Sequence, residues 1–322
     1  MSYYSEVMAD SPVGYWRLGE SAGTTADNAE GTSARDGTYT GTYTLGQTGA
    51  VPGDTAVLLS TGYISVPYSA AMHPADTFTW EAWVKRTSTG AQMSLWASGE
   101  ANTVYLYFNA TDYLVMRKDS VATICETIGA STDTASWHHI AFTKTGATYA
   151  IYYDGSATTL TDVGNQTLVA GTAALNIGAV SGVQTLLGTI DEVALYSTAL
   201  SSTRIAAHYA AGTVVTPVWT TPADTVSMST TPELKFNSPT SAVKQHFYLQ
   251  LDTANTFATG NLRTLDSSTS QTNWAYWDGA AWTALPSDGL PIAKSGNEIR
   301  YTVTSALSSA TWYRRVRAGT LV

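Results

Sequence analysis

Cysteine is almost missing from this chain: Cys125 is the single thiol in 322 residues, so no intrachain disulfide can form, and it reads as a small apolar strand residue. Charge is scarce at 13% of residues, and basic charge scarcer still, with 16 Lys and Arg against 25 Asp and Glu for a net charge of -9. A nucleic-acid partner requires a basic face, so that class is excluded. No apolar run approaches the ~20 residues of a membrane-spanning helix. The opening, MSYYSEVMADSPVGYW, has neither a basic start nor an apolar stretch and reads as no export signal. A Gly-x-Ser-x-Gly elbow, a His-Glu-x-x-His pair and a phosphate-cradling glycine loop are also wanting.

What fills the chain is Thr, Ser, Ala and Gly with 10 Trp and 19 Tyr, a composition suited to β-sandwiches. The length favours two domains. Residues 1–212 hold 8 basic and 18 acidic side chains, whereas residues 213–322 hold 8 and 7. Between them lies TVVTPVWTTP (213–222), a connector stiffened by its prolines. Short alternating runs such as GYISVP (62–67) and TFTWEAWVK (77–85) recur at a spacing of about ten residues, the mark of a sandwich. In the second run Trp80 and Ala82 oppose Glu81 and Trp83, which predicts a central strand covered on both sides.

The stretch GTIDEVALYSTALSSTRIAAHY (188–209) reads as a strand followed by a helix. Alternation puts Ile190, Glu192, Ala194 and Tyr196 on one face and Asp191, Val193 and Leu195 on the other. A carboxylate sharing an apolar face needs a partner. Ser201 is the expected N-cap, Leu200 and Ile205 the staple, and Gly212 the stop. A glycosidase would need two carboxylates on one face about 5 to 10 Å apart. Adjacent Asp191 and Glu192 should diverge and Glu81 stands alone in its strand, so the expectation is that the chain is no enzyme and has no catalytic residues. His138 and His139 should likewise diverge, one at the core edge and one at the surface.

The 188–209 stretch, with Tyr15-Trp16-Arg17-Leu18-Gly19-Glu20, Phe78 to Val84, Trp137-His138-His139-Ile140-Ala141 and Tyr152-Tyr153-Asp154-Gly155, resembles laminin-G-like, concanavalin A-like jelly rolls over residues 1–212. The resemblance implies an all-β jelly roll that binds calcium where the first loop meets the last strand, here through Glu20, Asp27 and Asp191. The alternative is that backbone amides of the 20–37 loop satisfy Asp191 without an ion. Residues 213–322 resemble a smaller fibronectin type III or immunoglobulin-like sandwich, with matching strands around Leu234, Tyr248 and Trp312 to Arg317. The sequence given ends at Gly319-Thr320-Leu321-Val322, and the expectation is that the last strand is lacking and a neighbouring chain covers the edge, the alternatives being a piece of a longer protein or a six-stranded module.

The opening also resembles those of bacteriophage virion proteins, as head decoration, fibre or minor tail component. The expectation is a structural protein made in the host cytoplasm and carried in the virion, its partners being other virion proteins, copies of itself and host-surface carbohydrate. Trp96, Tyr113, Trp277 and Trp282 are the candidate sugar platforms, because aromatic faces stack on pyranose rings. A role in assembly alone and a glycan-active enzyme are the rival readings.

Overall fold

The computed structural model describes residues 3–51, 53–73, 76–98, 104–118, 122–161, 164, 168, 173–180, 183–213, 218–221, 233–238, 246–252, 263–267, 270–278, 280–287, 290, 297–303 and 313–319. The chain divides into two compact units, Met1–Gly212 and Thr213–Val322. No helix among the described residues is long and apolar enough to cross a membrane.

The first unit is a jelly-roll sandwich of two antiparallel sheets. The eight-stranded sheet runs, in spatial order, Ser156–Ala157, Thr148–Tyr153, His138–Thr145, Thr77–Arg86, Gly188–Tyr196, Thr55–Leu59 and Tyr43–Thr48, with Gly14–Trp16 also pairing to Gly188–Tyr196. The nine-stranded sheet runs Leu160–Thr161, Ala122–Thr127, Leu114–Lys118, Val104–Phe108, Met93–Ala97, Leu175–Ile177, Tyr63–Val66, Gly37–Thr40 and Thr25–Ala26. Between them Trp16, Phe78, Trp80, Phe142 and Ile190 from the first sheet meet Ile64, Leu95, Trp96, Leu106 and Met116 from the second.

Thr77–Arg86, hereafter the central strand, is buried on both faces from Phe78 to Val84, as its run of aromatics predicts. Its outer face is covered by two helices, α1 (Tyr3–Ala9) and α2 (Ser202–Gly212). Under them Tyr3, Val7, Tyr15, Trp83, Ala194 and Tyr196 form a second apolar layer. The N-terminus of α2 is closed by Ser201, whose Oγ accepts the Arg204 N–H at 3.3 Å, and Leu200 packs against the cluster of Ala141, Tyr152 and Ile205, where a staple belongs. Gly212 is the last helical residue, and its role goes beyond stopping the helix: a Cβ there would stand 2.5 Å from the Trp83 ring. Glycine lets the helix end lie directly on the indole.

The second unit pairs a five-stranded sheet (Val218–Thr221, Glu233–Asn237, Glu298–Thr302, Trp274–Trp277, Trp282–Ala284) with a three-stranded one (Arg263–Asp266, His246–Asp252, Tyr313–Gly319). Leu234, Phe236, Phe247, Leu249, Trp274 and Ile299 make its core. Tyr313–Gly319 pairs with His246–Asp252 on one side and, among the described residues, with no strand on the other. Trp312 and residues 320–322 lie outside the described residues.

Candidate functional site

Gly188–Tyr196, the closing strand, departs from simple alternation at its centre. Asp191 stands opposite Trp83 and Ala194 opposite Glu81, so Glu192 and Val193 together face one residue of the central strand. The extra residue is absorbed at Glu192, whose φ is 52°, in the left-handed region. Ile190, Val193 and Leu195 therefore enter the sandwich core, while Ala194 and Tyr196 join the outer layer. The expected faces are corrected accordingly. Both carboxylates lie on the outer side: Asp191 Oδ2 accepts the Ala50 N–H at 2.8 Å, and Glu192 accepts the Tyr15 hydroxyl and the Arg17 guanidinium, the latter at 3.3 Å. The bulge thus makes the neighbouring carboxylate pair that the alternating pattern had seemed to forbid.

Both acids are fully buried. Burial pushes Asp191 up to about 8, with a further push from the Asp54 charge. Burial likewise pushes Glu192 up to about 9, and the adjacent Asp191 adds to it. Arg17, joined to Asp54 as well, offsets part of this for Glu192.

Glu20 ties down the first loop. Glu20 Oε1 accepts the Asp27 N–H at 2.9 Å, and Oε2 accepts the Tyr39 hydroxyl at 2.6 Å. Burial, the Glu20 hydrogen bond and then the charges of Glu20, Asp191 and Asp27 hold the Tyr39 proton far above its ordinary range. Asp191 Oδ1 is buried without a hydrogen-bond partner, and a Cβ on Gly49 would sit 2.9 Å from Oδ2. A free, hard oxygen beside closely packed backbone fits a calcium ligand. Among the described residues no three His, Cys, Asp or Glu side chains converge as a metal-holding group, so most of the six to eight oxygens that calcium takes would have to come from backbone and water.

A second buried set lies under the helices, centred on Glu81. Tyr196 donates to its Oε1 at 2.6 Å, His208 Nδ1 stands 2.8 Å from the same atom, and His139 Nε2 is 3.3 Å from Oε2 without the alignment of a hydrogen bond. His208 Nε2 faces Asp10 Oδ2 at 2.9 Å, and Arg204 ties Glu6 of α1 and Asp10, just past its end, to α2. Burial opposes both charges, yet Glu81 raises His208 and His208 drives Glu81 below the carboxylate range. Glu81 is thus alone in its strand but not in the fold. The two adjacent histidines do diverge: His139 is buried, and His138 lies partly open between Asp154 and Asp133.

Of the expected sugar platforms, Trp96 is corrected: it is a core residue, 5.6 Å from the Phe78 ring. Tyr113 packs half-buried against the Tyr105, Tyr107 and Val115 cluster. In the second unit Trp277 is 38% exposed and meets Trp282 edge-on at 5.7 Å, while Arg300 and Lys235 lie over the Trp282 ring at 4.5 and 5.3 Å. Cation–π stacking therefore occupies part of that platform.

Residues 58–206 match the Laminin_G_3 family, described as the concanavalin A-like lectin/glucanases superfamily. No curated protein matches the chain. Among solved structures, domain 4 of AbnA, a GH43 extracellular arabinanase from Geobacillus stearothermophilus solved with arabinotriose, superposes with TM-score 0.50 at 15% identity, covering 62% of this chain and 98% of that one. The binding domain of Paraclostridial Mosquitocidal Protein 1 gives 0.50 at 12% identity, covering 90% and 70%. Trypanosoma rangeli sialidase with the inhibitor DANA gives 0.47 at 15% identity, and this chain spans only 32% of it. The expectation that the chain is no enzyme does not stand. Its similar structures include a domain of a GH43 arabinanase, and the carboxylate argument behind that expectation fails at the bulge. Residues 58–206 are a concanavalin A-like domain.

Proposed function

We propose that this chain recognises carbohydrate through its concanavalin A-like unit. The observation that carries the reading is the match of residues 58–206 to a lectin and glucanase superfamily. The arabinanase domain, whose structure holds arabinotriose, has the same fold and lends support at the level of the ligand class. Calcium belongs to the proposal: Asp191 would hold it through the unpartnered Oδ1, with Glu20 and Asp27 on the facing loop. Bound there, the ion would supply positive charge to a buried acid and cross-link the first loop to the closing strand.

The setting proposed is the bacteriophage virion, as head decoration, fibre or minor tail component, among other virion proteins and copies of itself. It rests on the resemblance of the opening residues. The second unit is proposed as a fibronectin type III or immunoglobulin-like module, supported by its two described sheets around one aromatic core.

The test is binding of the purified full chain to an immobilised panel of plant, bacterial and animal glycans, with and without calcium. Retention by a defined saccharide class is expected. No retention on any glycan in either condition overturns the reading. Assaying the same incubations for new reducing ends decides whether recognition is coupled to cleavage.

A further inference from the structure

On the jelly-roll unit, loop 127–133 and the strands His138–Thr145 and Thr148–Tyr153 border a cleft of about 560 Å³. Its size is that of a small-molecule site. Ile128, Ser131, Asp133, His138, Tyr153 and Thr159 are among its walls.

The cleft is built rather than left over between loops. Arg86, 3% exposed, pairs with Asp112 at 2.6 Å, lies 4.0 Å from the Phe108 ring centroid, and donates to the Ser131 carbonyl. The Ser131 N–H in turn donates to the Asp112 carbonyl at 2.8 Å, and the Ile128 N–H to the Thr159 carbonyl at 3.1 Å. Thr127 Oγ1 donates to the Gly129 carbonyl at 3.0 Å. A buried ion pair and four backbone-directed bonds hold the loop open, so a ligand would meet a wall that costs little to order.

The chemistry of the walls is selective. Asp133 leaves 42% of its side chain exposed, with Oδ1 accepting the Ala135 N–H at 2.7 Å and Oδ2 3.3 Å from His138 Nε2. His138 Nδ1 faces Asp154 Oδ2 at 2.9 Å, and its ring lies 4.6 Å from that of Tyr153. Both imidazole nitrogens face carboxylates, so any positive charge on the ring is matched within the site. Asp133 on the wall and Asp154 on the other nitrogen of the ring outnumber the single imidazole, so the local charge is negative in either state of His138, which disfavours anionic ligands. Ile128, 54% exposed, gives an apolar patch beside the threonine hydroxyls. Hydroxyl donors that can reach a carboxylate, together with a C–H face that can lie on an apolar surface, define a neutral sugar.

We infer that this cleft is the saccharide site of the unit and takes neutral sugars in preference to uronic or sialic acids. The inference rests on the proposed carbohydrate recognition and gives it a place. The experiment measures full-chain binding to fluorescently labelled neutral xylo-, arabino-, manno- and galacto-oligosaccharides and to oligogalacturonate and sialyllactose. It compares the unchanged chain with Thr159→Trp, which fills the cleft from an exposed position, and Trp277→Ala in the second unit.

Neutral binding that falls at least about tenfold in Thr159→Trp and holds in Trp277→Ala supports the site. In the unchanged chain, saturating sugar should also shift the His138 imidazole resonances, a readout independent of how the variant folds. Binding without that shift, binding lost in Trp277→Ala instead, or preference for the acidic sugars overturns the inference and leaves carbohydrate recognition standing. No binding to any probe overturns both.

Discussion

His208 is held by acceptors on both ring nitrogens, Glu81 at 2.8 Å and Asp10 at 2.9 Å, and this makes stability depend on pH in a defined direction. Its pKa is raised above 6.5, so its contribution is complete below that value and is lost as pH rises through the folded value. Glu81 is depressed from 4.5, so its contribution is complete above that value and is lost as pH falls towards the folded one. The clamp is therefore fully engaged between about 4.5 and 6.5. The thermal midpoint difference between the unchanged chain and His208→Gln, followed by circular dichroism, should be largest there, on top of the decline that the raised acids Asp191 and Glu192 impose as pH rises above about 4. His208→Gln should cost about 3 kcal/mol, because it removes the charge partner of a buried carboxylate, and should make the alkaline decline shallower. An unchanged profile in that variant would remove the clamp from the account. Gly212 offers a second single-residue test. Gly212→Ala drives a methyl into Trp83 and should destabilise by about 1 to 3 kcal/mol, read as a lower urea midpoint at constant slope.

Among the elements, the closing strand and the first loop carry the metal proposal. If calcium binds, ligand at about 100 times its dissociation constant should add about 2.7 kcal/mol of stability, and chelator should remove it. In Asp191→Asn the melting temperature should no longer respond to calcium. A calcium response that survives this substitution would place the ion elsewhere. The same strand shows what could be read from sequence and what could not. The sandwich, the doubly covered central strand and helix α2 follow from alternation, aromatic bulk and a capping serine, all local patterns. The bulge does not: nothing in Ile190-Asp191-Glu192-Val193 announces a left-handed glutamate, and one inserted residue moves every later side chain to the other face. Glu81 and His208 are 127 residues apart, and neither carries a local sign of the other. The burial of Trp96 is hidden from the sequence for a related reason, since a register shift between Ser94 and Trp96 sets which face the indole takes. Loop 127–133 carries no local sign of its cleft, because its wall is held by Arg86 and Asp112, which are remote in sequence and ordinary in type.

For the whole molecule, the two units have separate apolar cores, one around Trp16, Trp80 and Phe142 and one around Phe236, Phe247 and Trp274. Among the described residues each core is built from its own stretch of chain, which is the requirement for folding alone. A fragment of residues 1–213 should keep the cooperative melting transition and the saccharide affinity of the full chain, measured by calorimetry and by the same labelled sugars. Loss of the transition in the fragment would show that the jelly roll depends on the second unit.

The pairing of the closing strand has a consequence for synthesis. It joins Gly14–Trp16, Thr55–Leu59 and Thr77–Arg86 within one sheet, so three early segments wait for a strand made more than a hundred residues later. Such long-range closure is slow, and until it occurs the unsatisfied edges of these strands are open to neighbouring chains. On the ribosome the sheet cannot be completed until residues 188–196 have left the exit tunnel. The nascent chain must therefore be kept apart from its polysome neighbours for most of its own translation, and codon changes that delay residues 188–212 should lower the soluble yield without altering the finished fold.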